Sequence, residues 1–553
     1  MANSDQKASQ LEIPSTKEAS GFGDPSYKSQ RSVYTMNQFQ SRISDIINTA
    51  RSVRRKKKVE QKEVTDVCVI GSGAGGAVVA KELAEAGLSV IILEAGEHHE
   101  ASTFGTYEPE MLRRLFWDSG LRSTRDGAIV ISQGIGVGGS TVHNLCYAVR
   151  LPQTVLHRWG VPEVWSHFDE VERTLGVTQM QESDVNELNA VIRYGCEMMR
   201  WRGGLQRHNR GDCPTCGARC LFGCPNSKSI QTEPVRTGKQ SMAVTYIPLA
   251  LAAGARLYSN CMAEKIHVKQ KRAVGVSARL PSGTLDIESK VVVLAAGAIN
   301  SPQLWLKSQL PNANRRVGKN LHLHPAVFVG GIFNETIDGH LGIPQSYYID
   351  QFLDLRRAPD SGYLLMPAFG SQMIVAASLP GFGKSHRELM ERYRHTAALL
   401  VLLHDRTTGR VSINHKGMPN ISYRLRRSDR QVLMEGAINA ARLLFAAGAT
   451  EIVMPYTEHI PIKTETDLEI IRQRGIVRND IMLASSHPQG TLQMGEERRN
   501  AVVKLSGESH AVEGLFVADA SLFPTSIGVP PTLTIAALGR HIAGRIIESG
   551  IVQ

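Results

Sequence analysis

Apolar and polar positions change rhythm in a few diagnostic places along this chain. A short β-branched run, Val67-Cys68-Val69-Ile70, gives way to a glycine cluster, then to a helix-forming stretch over residues 77–86, then to a second apolar run ending at Leu93. That succession predicts a βαβ unit. Residues 291–294 predict a further strand. Residues 410–414 and 420–424 alternate on either side of a Gly-containing turn and predict a hairpin, and residues 430–447 predict a helix. Near the start, Phe39, Ile43, Ile46, Ile47, Ala50 and Val53 recur at helical spacing, which predicts an amphipathic helix within residues 36–62. The longest apolar run, residues 397–403, is far short of the ~18 residues of a membrane span.

The glycine cluster gives the first unit its chemistry. Gly71-Ser72-Gly73-Ala74-Gly75-Gly76 is the GxGxxG pattern of dinucleotide binding. Gly71 and Gly73 let the backbone turn tightly and approach a pyrophosphate, Gly76 brings the helix close to the sheet, and the helix N-terminus offers N–H groups to the anion. Glu94 follows at the spacing of the acidic residue that takes a ribose hydroxyl pair. The unit by itself leaves FAD and NAD open.

Further stretches resolve that choice. Gly138-Gly139-Ser140-Thr141-Val142-His143-Asn144, Ala295-Ala296-Gly297-Ala298-Ile299-Asn300-Ser301-Pro302, Arg316-Val317-Gly318-Lys319-Asn320-Leu321, Ser486-His487-Pro488 with Gly490-Thr491 and Met494-Gly495, Val517-Ala518-Asp519-Ala520-Ser521 and Gly528-Val529-Pro530-Pro531 follow one another in the chain. Together with the βαβ unit they resemble the glucose-methanol-choline family of FAD-dependent oxidoreductases, from residue 64 to about 545. The resemblance implies FAD held by Gly71, Gly73, Ala74, Gly75, Gly76, Glu94, Gly139, Ser140, His143, Asn144, Ala296, Gly297, Asp519 and Ala520. It implies an α/β fold, with a Rossmann-like FAD-binding domain interleaved with an α+β substrate domain that carries a largely antiparallel sheet. Residues 63–154, 236–324 and 482–553 are expected in the first, and residues 155–235 and 325–481 in the second.

Composition fits a large enzyme: 553 residues, 42% hydrophobic, with 50 glycines. The net charge of +11 is uneven, because residues 1–62 hold twelve Lys or Arg against six Asp or Glu. Much of it lies in Arg51-Ser52-Val53-Arg54-Arg55-Lys56-Lys57-Lys58, not spread over a folded face with stacking aromatics, so no nucleic-acid partner is expected. A polycationic amphipathic helix suits peripheral contact with an anionic membrane through residues 39–58; packing on the catalytic body is the alternative. Residues 1–35, rich in Ser, Lys, Gln and Gly, are expected to be disordered, and with no apolar leader the expected location is cytoplasmic.

Four of the eight cysteines crowd into residues 213–225 as Cys213, Cys216, Cys220 and Cys224. Thiolates are soft ligands for iron–sulfur clusters or zinc. Some members of the family carry an iron–sulfur cluster in a comparable insertion, while its long-chain alcohol oxidases carry a similar Cys-Gly-rich segment for which no cluster is implied. A cluster, a structural zinc and an unmetallated turn all stay open. Cys68, Cys146, Cys196 and Cys261 read as isolated structural thiols.

The resemblance makes His487 the catalytic base, a neutral imidazole that takes the hydroxyl proton as hydride leaves carbon. It places His143 where some relatives attach FAD covalently and others do not. The chain departs from its family at Pro530, where an Asn or His donor is usual and proline has no donor to offer. The expected activity is FAD-dependent oxidation of an alcohol, a bulky lipid or sterol-like one ahead of a sugar or polyol, with oxygen or a protein as acceptor. A non-catalytic flavoprotein or electron-relay subunit is the alternative class.

Overall fold

The computed structural model describes residues 59–213, 217–230, 235–356 and 361–552. The start expected to be disordered, nearly all of the expected basic amphipathic helix, and Cys216 lie outside them. Residues 59–62, the end of that expected helix, are extended instead: they open β1 (Val59–Ile70), pairing from Val59↔Gly283 to Lys62↔Asp286.

β1 is the centre of a seven-stranded sheet. On one side it pairs in parallel with β2 (Val90–Leu93), which pairs in parallel with Arg256–Tyr258; on the other it pairs in parallel with Gly283–Leu294. The last of these strands changes character along its length. Its first half alternates, with Leu285 and Ile287 buried and Asp286 and Glu288 exposed, and it pairs antiparallel with Arg272–Leu280. Its last four residues, Val291 to Leu294, are buried throughout, as a strand covered on both faces must be, and Leu515–Val517 joins them in parallel. α1 (Gly76–Glu85) crosses from β1 to β2 and packs against Tyr246–Ala252 and Thr532–Glu548.

Among the described residues the second sheet has nine strands and only one parallel pairing, Leu483–Ser485 with Ile129–Ile131. Its middle is Ala326–Ile332, Thr396–Leu403 and Ser361–Pro367, antiparallel throughout. The helix expected over 430–447 is Arg427–Ala446; it lies across those strands with Leu433, Ala437, Ala440, Ala441 and Leu444 in their core. The expected hairpin is Gly409–Ile413 with Pro419–Ser422, in the register Val411↔Ile421. Among the described residues no helix is long and apolar enough to cross a membrane.

Candidate active site

The separate glycine-bearing stretches converge at the carboxyl ends of β1 and its neighbours. Gly71 ends β1 at φ +106°, open to glycine alone, and a Cβ there would lie 2.3 Å from the Ala295 carbonyl oxygen. A Cβ on Gly75 would come within 1.8 Å of the Ala518 carbonyl oxygen, and one on Gly76 within 2.0 Å of the Gly71 carbonyl oxygen. Gly73 differs from all three: nothing stands within 4 Å of the position its Cβ would take. Three glycines are therefore consumed by protein packing and one faces open space at the entrance to α1, where a pyrophosphate needs close access to backbone N–H groups.

Glu94, at the end of β2, is buried at this entrance. Its Oε2 accepts from the Ser72 N–H (3.1 Å) and hydroxyl (2.7 Å), and its Oε1 from the N–H groups of Gly96 (3.0 Å) and Gly136 (3.2 Å). Ser72 Oγ in turn accepts from Gly138 N–H (3.0 Å), and Gly139 stands over Gly73. Ser140 Oγ accepts from Gly134 N–H (2.8 Å). Across the strand ends, Asp519 accepts from Gly297 N–H (2.8 Å), Ser301 Oγ (2.5 Å) and Ser521 N–H (2.8 Å), and Ala296 N–H donates to Ser301 Oγ (3.0 Å). Burial pushes the pKa of both carboxyls, Glu94 and Asp519, up. The structure thus brings Gly71 to Gly76, Glu94, Gly139, Ala296, Gly297, Asp519 and Ala520 together, a cradle that fits an FAD pyrophosphate and ribose.

His143 and Asn144 are held differently. The His143 ring packs on Phe116 with centroids 4.0 Å apart, and its Nε2 is buried without a hydrogen-bond partner. Burial pushes its pKa down to about 3, so it is neutral. Asn144 Oδ1 accepts from Cys146 N–H (3.2 Å), and its carbonyl accepts from the buried Lys239 Nζ, which also donates to Val142 O (2.9 Å) and Cys220 O (2.7 Å).

His487 is stitched to the cradle through its own segment: Gly490 N–H donates to Ala520 O (2.9 Å) and Thr491 Oγ1 to Ala298 O (2.6 Å). Burial pushes the His487 pKa down to about 4. Around it lies a buried polar hub that the sequence reading missed. His324 Nδ1 is 3.3 Å from His487 Nδ1, and His324 Nε2 accepts from Gly528 N–H at 2.9 Å. Beneath them Asp405 is 1% exposed and accepts from Leu323 N–H (3.0 Å), His324 N–H (3.3 Å), Tyr423 Oη (2.5 Å) and Ser526 Oγ (2.7 Å), with His322 Nδ1 at 3.7 Å. Burial alone would raise its pKa; His322 and these donors outweigh that and hold it well below the usual carboxylate range. The signals were present as His322-Leu323-His324-Pro325 and as His404-Asp405 after an apolar strand, but nothing local links the two.

The cysteines assemble in an unexpected way. Cys213 Sγ and Cys220 Sγ both accept from the buried Arg210 Nη1, at 3.3 and 3.4 Å, and Cys224 Sγ accepts from Lys239 N–H at 3.4 Å. Cys146, expected to be isolated, shares the electrostatic environment of Arg210, Lys239, Cys220 and Cys224. Among the described residues no group of three or more His, Cys, Asp or Glu side chains is disposed to hold a metal ion. Among the described thiols of this segment, a guanidinium sits at Cys213 and Cys220.

Comparison with known proteins bears on most of the chain. Two GMC oxidoreductase family models match residues 112–326 and 405–539, and an FAD-binding-domain model matches residues 66–108. An uncharacterized GMC-type oxidoreductase of Mycobacterium tuberculosis is 30% identical, covering 87% of this chain and 76% of its own. A long-chain-alcohol oxidase of Arabidopsis thaliana is 28% identical, covering 88% of this chain and 68% of its own. Among solved structures, a pyridoxine 4-oxidase superposes with a TM-score of 0.65 at 15% identity, covering 88% of this chain and 99% of its own. The formate oxidase of Aspergillus oryzae superposes with a TM-score of 0.66 at 15% identity, covering 89% and 100%.

Proposed function

The chain belongs to the GMC oxidoreductase family, and on that premise we propose that it oxidises a bulky, lipid-like alcohol at FAD, with His487 at the reacting hydroxyl and oxygen as electron acceptor. The observation that carries this reading is the convergence of the Gly73 opening, the Asp519 strand end and His487 through Gly490–Ala520. When bound, FAD supplies the hydride acceptor. The protein's part is to hold that group against the helix N-terminus and to set a neutral imidazole beside the alcohol oxygen, where it can take the hydroxyl proton or hydrogen-bond the oxygen as charge develops. The long-chain-alcohol oxidases that match over most of this chain support a lipid-like substrate and oxygen.

Anaerobic mixing of the FAD-loaded protein with 1-dodecanol, cholesterol and glucose, watching the flavin bleach, tests the substrate class; re-admission of oxygen tests the acceptor. Bleaching by 1-dodecanol well ahead of glucose is expected. Bleaching by glucose alone would overturn the lipid reading, and bleaching by no alcohol would favour a non-catalytic flavoprotein. His487→Ala should keep FAD and fold but slow flavin reduction by ~10² to 10⁴-fold, the usual reach of a group acting on the transferred proton. Wild-type reduction rates in that variant would remove His487 from the site.

A further inference from the structure

Positive charge is settled differently in two parts of the surface. Arg392, Arg394 and Arg474 each sit on a carboxylate, those of Glu451, Asp338 and Asp480. The small sheet formed by Lys319–Leu321, Gly409–Ile413 and Pro419–Ser422, with the chain that follows it, has no such partners. Residues 409–430 hold six Lys or Arg against a single acidic residue, Asp429. Asp429 is buried and accepts from the N–H groups of Arg406 (3.0 Å) and Thr407 (2.7 Å) and from the Thr407 hydroxyl (2.6 Å), so its carboxylate is turned inward, away from the surface charges.

This stretch sorts its side chains by face. Val411, Ile421 and Tyr423 turn inward with Ile299 in one apolar cluster, and Tyr423 Oη reaches Asp405 of the hub. On the outer side Lys319 stands directly opposite Arg410, and Arg410 opposite Ser422, with Arg424 exposed two residues on. Cross-strand partners share a face, and like charges set opposite one another repel. Arg426, Arg427 and Arg430 then crowd the start of the helix Arg427–Ala446, the end where the helix dipole disfavours cations. Lys319, Arg410, Arg424, Arg426, Arg427 and Arg430 are all exposed, and none forms an ion pair among the described residues. The fold therefore carries two repulsive arrangements side by side with no countercharge of its own.

We propose that this face docks on an anionic phospholipid surface. Five of its six cations are arginines, whose planar fork pairs with two phosphate oxygens at once, and each cation near a negatively charged leaflet adds its own attraction. Met418, half-exposed at the hairpin turn, supplies an apolar side chain for the headgroup layer. Nucleic acid fits less well: the only Phe, Trp or Tyr within residues 409–430 is Tyr423, which is buried, so the face presents no such ring for bases to stack on. A lipid-like alcohol of the kind proposed above resides in such a surface. The docking itself rests on charge and is read without turnover.

The full chain, loaded with FAD, is co-sedimented with vesicles of phosphatidylglycerol in phosphatidylcholine at about 0.15 M salt and at about 1 M, where the screening length shrinks to ~3 Å. Expected is sedimentation at the lower salt, release at the higher, and none with phosphatidylcholine alone; equal binding to the neutral vesicles would overturn the proposal. A variant combining Arg410→Gln, Arg424→Gln, Arg427→Gln and Arg430→Gln removes four charges from exposed side chains. It should keep its FAD and lose vesicle affinity by about 10²-fold. A second full-chain variant, with Arg54→Gln, Arg55→Gln, Lys56→Gln, Lys57→Gln and Lys58→Gln, should still sediment, within about tenfold of wild type. Loss of binding in the second variant with wild-type binding in the first would give the contact to the basic segment before residue 59 and overturn the proposal. A DNA duplex bound at the lower salt, with no vesicle binding, would assign the face to nucleic acid and overturn it too. Vesicle binding that is lost with the four arginines, in a protein whose flavin no alcohol bleaches, would support the docking and overturn the alcohol-oxidase reading instead.

Discussion

The glycine cradle and the histidine hub lie on neighbouring strand ends and are built on opposite principles. The cradle is made of backbone: Gly71, Gly75 and Gly76 are small because main-chain atoms of Ala295, Ala518 and Gly71 occupy the space a side chain would need. The hub is made of side chains: Asp405 gathers Tyr423 and Ser526 together with the backbone N–H groups of Leu323 and His324, and Gln489 meets the far side of His324. A backbone site fails by steric collision wherever main-chain atoms fill the place of a side chain. A side-chain network fails by losing partners and degrades stepwise.

The largest expected effect separates two glycines two residues apart. Gly75→Ala should destabilise the protein by about 3 kcal/mol or more, since a carbonyl oxygen at 1.8 Å has to be displaced, and should abolish FAD retention. Gly73→Ala meets nothing within 4 Å, so the thermal midpoint of flavin-stripped protein should hardly move while FAD affinity falls by about tenfold or more. Equal midpoints in both variants, by differential scanning calorimetry, would break the distinction between packing and cofactor glycines.

The hub should respond more gradually. Asp405→Ala removes the acceptor of four donors and should cost about 3 kcal/mol, whereas Tyr423→Phe removes one hydrogen bond and should cost about 1 kcal/mol, by guanidinium unfolding. A Tyr423→Phe as damaging as Asp405→Ala would show that the hub acts all at once.

Acid sharpens the comparison from the side of charge. His143 and His487 titrate near 6.5 when unfolded, but burial holds them to about 3 and about 4 when folded, so between those values the unfolded chain binds more protons. Their contribution is complete above pH 6.5 and is lost as pH falls below it, by about 2 kcal/mol apiece at pH 5. Glu172 adds a second loss below its unfolded value of 4.5: against its burial, the hydrogen bonds from Arg150 and Arg207 hold its pKa at about 2. A guanidinium midpoint equal at pH 7.5 and pH 5 would rule out these neutral imidazoles.

The same contrast explains what the sequence made legible. GxGxxG is readable because its constraints are local: a turn, a helix start and a strand within thirty residues. The hairpin after residue 409 and the helix from Arg427 were readable for the same reason. His324 was not, because its meaning comes from Gly528, 204 residues away, and from Asp405, 81 residues away. Nor was the company kept by Cys146, which gains its neighbours from a loop more than sixty residues later. Residues 59–62 read as the end of a basic helix until pairing with residues 283–286 drew them into β1.

The contact between Gly75 and the Ala518 carbonyl sets the timing of biosynthesis. One wall of the cradle lies at Gly71 to Gly76, and its counterpart, Leu515–Val517 and Asp519, is made more than 400 residues later in the chain. A nascent chain on the ribosome therefore carries a finished-looking βαβ unit for most of its synthesis with no partner to close it. Cofactor capture waits for that late segment, and any truncation before residue 519 leaves a chain that has the glycine motif but no site.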